Sequence, residues 1–360
     1  MAKPDIGEEE VANVTEAVKS GWVSSKGPFI ERFENRFSSY IGVKHAIAAS
    51  NGTVALHLAL TALGVGRGHE VLVPSLTFIA AANAVTYTGA KPVFLDSHPD
   101  YWCIDPEAIK KSITDKTKAI VLVHLYGHPC DINHILEIAR GKNLYVVEDC
   151  AEAHGAEYKG KRVGSFGDVS CFSFYGNKII TTGEGGMCLT NNEELAEKMR
   201  ILKDHGMNPK KRYWHDVIGF NYRMTNLQAA LGVAQLEKIE RLIDRKREIA
   251  KTYKEILGQT DSVIVAPEMS WAKNTYWFYC ILVNSKVRDK LIVHLDQDGI
   301  ETRPFFYPIH TLPPYSHGLK LPVAEQLSAR GLNLPSGPRI TEDEICEVSS
   351  AIRKVLKLLD

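Results

Sequence analysis

The chain has 360 residues, 44% of them apolar and 24% charged, with 43 cationic side chains balancing 43 anionic ones. Such a composition excludes disordered, fibrous and low-complexity classes, and the balanced charge provides no global field to draw in nucleic acid or an anionic membrane. Any anion must therefore be held locally. The length exceeds one typical core, so two lobes are expected, residues 1–235 and 236–360. No run reaches the ~20 apolar residues that span a bilayer. The opening MAKPDIGEEE lacks the apolar stretch of a signal peptide, so a cytoplasmic protein is expected. Seven cysteines scattered through apolar runs, with no CxxC pair, read as buried thiols in a reducing compartment and point to no metal.

In chain order, short apolar runs alternate with helical patterns. Strands are expected over His45–Ser50, Glu70–Pro74, Pro92–Asp96, Ala119–Leu125, Leu144–Glu148, Val169–Phe174 and Gly186–Thr190. Each is apolar on both alternating faces, as a largely parallel sheet covered by helices on each side requires. Helical segments such as Thr53–Leu63 and Asn133–Lys142 supply the crossovers of an α/β fold. From Asn226 to Leu257 a long amphipathic stretch follows, expected to link the lobes. A strand at Tyr276–Val283, a helix near Arg288–Gln297, the passage RPFFYPIHTLPPY and a helix from Thr341 then suggest a smaller α+β unit.

Three motifs carry chemistry. Asn51-Gly52-Thr53 joins a strand to a helix, where backbone amides, a glycine and a hydroxyl can cradle a phosphate; an asparagine or threonine here also simply caps a helix. The strand ending in Glu148-Asp149 puts a carboxylate where α/β proteins bind ligands, either to meet a cation such as a protonated pyridine or to form a cap or internal ion pair. In SFYGNK, Lys178 follows an apolar strand and precedes the glycine-rich ITTGEGGM. Desolvation there lowers the pKa of an amine and frees it to attack an aldehyde. A lone loop lysine is usually solvated surface. The order of the three, with lysine 29 residues after Asp149, favours the chemical reading.

With GWVSSKGPFIERFE, ASNGTVALHLAL, PSLTFIAAANAV, VVEDCAEAHGA, GFNYRMTNLQAALG and FYPIH also present, the chain resembles the fold type I pyridoxal-phosphate enzymes. Within them it resembles the nucleotide-sugar aminotransferases of the DegT/DnrJ/EryC1/StrS group. The resemblance implies a mostly parallel, mixed seven-stranded sheet with a smaller C-terminal α+β domain. It implies that Lys178 forms a Schiff base with pyridoxal 5'-phosphate and relays protons, with pyridoxamine phosphate as the aminated form. Asp149 would keep the ring nitrogen protonated, Phe78 would stack on the ring, and Gly52, Thr53 and Ser173 would hold the phosphate. Glu152 is placed near the ring hydroxyl or on a surface turn. Asn221 would reach the cofactor of a neighbouring subunit in a homodimer with shared active sites. Trp22, Lys26, Arg303, Tyr307 and His310 are the substrate-binding candidates, the alternative being that they order a long loop.

Many family members carry histidine where this chain has Tyr175, so the family's usual histidine contact is removed here. The SFYGNK form is closest to members that aminate C4 of GDP-4-keto-6-deoxymannose with L-glutamate as donor, releasing 2-oxoglutarate and giving GDP-perosamine. Relatives that dehydrate their sugar have histidine in place of the lysine, and Lys178 is present. The competing expectations are 3- or 4-amination of a dTDP- or UDP-linked keto sugar and, from another class, a non-catalytic cofactor- or nucleotide-binding regulator.

Overall fold

The computed structural model describes residues 3–359. Seven strands, β1 (His45–Ala49), β2 (Glu70–Pro74), β3 (Lys91–Leu95), β4 (Thr117–Val123), β5 (Tyr145–Asp149), β8 (Val169–Ser173) and β9 (Gly186–Thr190), form one sheet in the order β1-β9-β8-β5-β4-β2-β3. Between β5 and β8 a small hairpin, β6 (Glu157–Tyr158) and β7 (Lys161–Arg162), turns the chain back. All neighbouring pairs are parallel except those made by β9, which runs against β8 and β1. The expected mixed, mostly parallel sheet is therefore present, and each expected strand lies in it.

The apolar runs divide by parity. Ile47, Ala49, Val71, Val73, Val147, Val169 and Cys171 pack on one face with α3 (Gly52–Ala62), α4 (Ala80–Tyr87) and α7 (Glu193–Lys203). Their alternates Ala46, Ala48, Leu72, Val146 and Phe172 pack on the other face, against α2 (Pro28–Ile41), α6 (Ile132–Gly141) and α8 (Asn226–Glu237). Burial on both faces explains why these strands read as continuous apolar runs.

The long amphipathic stretch is not one helix. It breaks at Lys238, whose φ of −109° and ψ of 12° leave the helical well, so α8 ends and α9 (Ile239–Leu257) starts in a new direction. Beyond it, β10 (Ile264–Val265), β12 (Tyr279–Leu282), β13 (Arg303–Pro304) and β14 (Gly331–Leu334) form a second, four-stranded antiparallel sheet, while β11 (Ala272–Lys273) joins the β6–β7 hairpin. Helices α10 (Ser285–Gln297), α11 (Pro322–Arg330) and α12 (Glu342–Leu359) complete this part. Six cysteines are buried thiols as expected. Cys346, on the outer side of α12, is exposed, because its position falls on the polar stripe of an amphipathic helix. No described helix is long and apolar enough to cross a membrane.

The two acids that end β5 have different jobs, separated by the same parity. Glu148 shares the face of Val146 and is fully buried. It accepts from the amides of Gly164, Phe166 and Gly167 at 2.8, 2.8 and 2.7 Å and meets His124 Nε2 at 3.2 Å. Cys150 lies close by, but the hydrogen bonds already made by Glu148 give this group a structural role. Burial alone would raise the carboxyl pKa; His124 and the amides outweigh it and hold Glu148 below its ordinary value. Glu148 therefore stabilises the fold above its unfolded pKa of about 4.5, and the contribution fades as pH falls through the lower folded value. Glu148→Gln is expected to lower unfolding free energy by about 3 kcal/mol in urea titrations at neutral pH, with a smaller deficit near pH 3. A deficit that grows on acidification would contradict this assignment.

Candidate active site

Asp149 has the parity of Val147, so its side chain leaves the sheet on the α3 face, the face that also receives Ser173 at the end of β8. Between these strand ends and the start of α3 opens a cavity of about 780 Å³. Its walls include Gly52, Thr53, Phe78, Asp149, Glu152, Ser173, Lys178 and Arg303. Eight of the thirteen residues singled out from sequence thus meet in one place.

At one end of the cavity, Asn51 caps α3 by accepting from Val54 N at 3.0 Å. The Gly52 and Thr53 amides precede that bond and have no acceptor within the helix. Gly52 is required by space: a Cβ there would lie 2.7 Å from Ser173 Cβ and 3.1 Å from its Oγ. Amides, the Thr53 hydroxyl and the Ser173 hydroxyl are therefore drawn together at the positive end of a helix dipole, a set suited to a phosphate dianion.

The buried acids sit further in. Asp149 is 6% exposed; its Oδ1 accepts from Ala151 N at 3.1 Å, and its Oδ2 makes no hydrogen bond among the described residues. Burial pushes its pKa up, opposed by that amide and by Lys178. A carboxylate oxygen that opens on the cavity without a hydrogen bond favours a cation there, and a pyridinium N–H meets that need. Glu152, also buried, accepts from Tyr126 N at 2.7 Å; burial raises its pKa, with Lys178 opposing and Asp149 reinforcing the rise.

Lys178 is partly buried, on a loop locked to the sheet by Phe174 N to Gly185 O and Thr182 N to Phe174 O. Desolvation lowers the pKa of its amine, while Glu152 and Asp149 favour the ammonium. The net effect is an amine whose pKa lies below its ordinary value. His154 is no rival base: burial first, then Lys178, pushes it down to about 3.

The other five candidates lie outside the cavity lining. Trp22, Lys26 and Tyr307 are exposed. Asn221 Oδ1 accepts from Arg223 Nε and Nη2 at 3.1 and 2.9 Å on the surface. His310 is 2% exposed and held between Ser75 Oγ at 2.7 Å and Glu325 Oε1 at 3.1 Å, which fixes the Pro-rich passage to the end of β2. Sequence reading noted Tyr175 only as a departure from the family's histidine and passed over Asn177, Trp277, Phe306 and Asn333; all five line the cavity. For the first two the signal was at hand, since they flank Lys178 in SFYGNK; the others come from the second sheet and its approaches, with no local signature.

A hydroxyl-and-amide cradle, a buried carboxyl group with one oxygen open to the cavity and a lysine amine of lowered pKa together suit pyridoxal phosphate. Residues 4–353 match the family described as DegT/DnrJ/EryC1/StrS aminotransferases, and the chain belongs to that family of pyridoxal-phosphate-dependent enzymes. It is 50% identical to a GDP-perosamine synthase from Escherichia coli O157:H7 over 98% of this chain and 97% of that one. It is 48% identical to a GDP-perosamine synthase from Caulobacter vibrioides over 99% and 98%. The fold superposes on the aminotransferase TlmJ from Streptoalloteichus hindustanus with a TM-score of 0.96 at 33% identity, covering 99% and 98% of the two chains.

If Gly52 is needed for the close approach to Ser173, Gly52→Ala should keep α3, since alanine is the better helix former. Pyridoxal phosphate affinity should nevertheless drop about tenfold or more, corresponding to ~1.4 kcal/mol. Titration of the cofactor-depleted variant, followed by absorbance, measures this; wild-type affinity would remove Gly52 from the cradle.

Proposed function

We propose that the enzyme transfers the amino group of L-glutamate to C4 of GDP-4-keto-6-deoxymannose, giving GDP-perosamine and 2-oxoglutarate. The observation that carries this is the intact Lys178, its pKa lowered by desolvation against the pull of Asp149 and Glu152, in a chain whose relatives named GDP-perosamine synthase are 44–50% identical over nearly their whole length. Bound pyridoxal phosphate supplies an electron sink for the carbon that loses its proton. Asp149 holds the ring nitrogen protonated, Gly52, Thr53 and Ser173 anchor the phosphate, and Phe78, 56% exposed and within the cavity lining, covers the ring. Lys178 moves the proton in each half-reaction, as a positioned acid and base. Glu152 orients the ring hydroxyl. Arg303, half-exposed and 3.1 Å from Glu301, offers a planar fork to the donor carboxylate or the diphosphate.

The working form is a cytoplasmic homodimer. Asn221 lies outside its own cavity, next to a loop that leaves Tyr213, Trp214, Val217 and Ile218 exposed, the last by 93%. Such an apolar surface suits contact with a second copy, through which Asn221 would reach the neighbouring cofactor. Trp22, Lys26 and Tyr307, exposed on the surface, are assigned to the sugar nucleotide in that assembly.

Incubation with L-glutamate and GDP-4-keto-6-deoxymannose should yield a 4-amino sugar nucleotide, identified by NMR. No product from it, with turnover of a dTDP- or UDP-linked keto sugar, would move the substrate within the family. Lys178→Ala should lose covalent cofactor attachment and reduce transamination by a factor of a thousand or more, about 4 kcal/mol of barrier. Near wild-type turnover in that variant would overturn the catalytic assignment.

A further inference from the structure

Trp277 lies just before β12, 99 residues beyond the catalytic lysine, and both its indole N–H and its carbonyl are engaged. Its indole N–H donates to Asn177 O at 2.8 Å, bonding the ring to the residue before Lys178. Its carbonyl accepts from Lys246 Nζ at 2.7 Å. The ring face meets Lys178 Nζ, 3.5 Å from the centroid, and the side chain is 5% exposed. The preceding residue, Tyr276, has φ of 48°, a left-handed conformation that a bulky residue adopts only when its surroundings over-determine it. Those surroundings are present: Asn274 Oδ1 accepts from Tyr276 N at 2.8 Å and Glu268 Oε2 from its hydroxyl at 3.2 Å. Glu268 is in turn held by Arg247 at 2.6 Å.

Lys246 is a second oddity. It projects from α9, is 4% exposed, and pairs with no carboxylate among the described residues. Its other contacts are Ser336 O at 2.5 Å and Ser336 Oγ at 3.5 Å. A buried ammonium is costly unless its protons are well placed, and here they tie the carbonyl of Trp277 to the chain after β14.

We propose that Trp277 is a positioning residue for Lys178, its indole face holding the free ammonium at the cavity wall and strengthening its grip on its proton, and that Lys246 positions Trp277. The inference rests on the reading of Lys178 as the catalytic amine. The charged and titratable groups around that amine are Asp149, Glu152, His154 and Glu184 on the cavity side, with Lys3, Asp5 and Lys246 around a small hollow behind Lys178 and Trp277. Asp149 and Glu152 already favour the ammonium and desolvation opposes it. An indole face adds to the first side without adding a charge, and tryptophan is the best aromatic for this contact. In each catalytic cycle the lysine must be released and keep its amine within reach of the substrate carbon; a ring at the wall gives it a defined resting place.

The test uses holoenzyme carrying pyridoxamine phosphate, in which the lysine amine is free. Trace acetylation with acetic anhydride as a function of pH, read by mass spectrometry of the Lys178 peptide, gives the midpoint at which that amine loses its proton. Trp277→Leu should lower the midpoint by about one pH unit, the size of a cation–π contact at a partly desolvated site. Trp277→Phe, which keeps a face but lacks the N–H, should fall between, and Lys246→Met should shift in the same direction as Trp277→Leu. An unmoved or raised midpoint in Trp277→Leu, or in Trp277→Phe where the leucine variant does not fold, overturns the proposal. A shift in the Trp277 variants with none in Lys246→Met overturns the part assigned to Lys246. Borohydride mapping of the wild-type enzyme keeps the two readings apart: a tag on another lysine sinks the catalytic assignment itself, whereas a tag on Lys178 with flat variant profiles sinks only this one.

Discussion

The site turns on one conflict, an amine that must be able to give up its proton while facing two carboxylates. Burial pulls Lys178 toward the neutral form, and Asp149 with Glu152 pulls it back. Burial is the stronger of the two, and the pKa of the amine lies below its ordinary value. The carboxylates are subject to the same balance in reverse. Each is raised by burial and lowered by the lysine.

That arrangement depends on strand ends. A parallel sheet brings several strand termini to one edge and leaves a helix N-terminus beside them. Here β5 delivers Asp149, β8 delivers Ser173 and leads to Lys178, and β1 delivers the turn into α3. Alternation along β5 then separates two neighbouring carboxylates completely. Glu148 is engaged by amides on the far face, and Asp149 is left with an open oxygen on the α3 face.

Much of this was legible because it is local. The seven strands are short apolar runs bounded by turns, and the cradle, the acid and the lysine each follow a strand within a few residues. Reading the Glu148-Asp149 pair correctly needed only the parity of the strand, since Asp149 shares its face with Val147, Val169 and Cys171. What was not legible comes from packing between distant segments. His310 looks like a ligand in FYPIH, yet Ser75, 235 residues away, takes up its Nδ1. The break at Lys238 interrupts a hydrophobic periodicity that continues through it, so the pattern alone gives one long helix. Trp277 sits in an aromatic run, NTYWFYC, that signals only a buried strand.

The last of these has a consequence for how the enzyme is assembled. Trp277, Phe306, Arg303 and Asn333 bring the second sheet and its approaches to a cavity whose chemistry lies on the first. Tyr126, itself in a left-handed conformation at φ 53°, links the two: its amide donates to Glu152 and its hydroxyl accepts from Phe306 N. The wall around Lys178 is thus complete only when both sheets are docked. Desolvation of the lysine, and with it the lowered pKa of its amine, is therefore a property of the docked pair rather than of the loop that carries Lys178. A ligand that binds only the docked form stabilises it by mass action. Gly52, Thr53 and Ser173 line the same cavity as Lys178 and Trp277, so a ligand spanning it would couple its own binding to the docking of the two sheets.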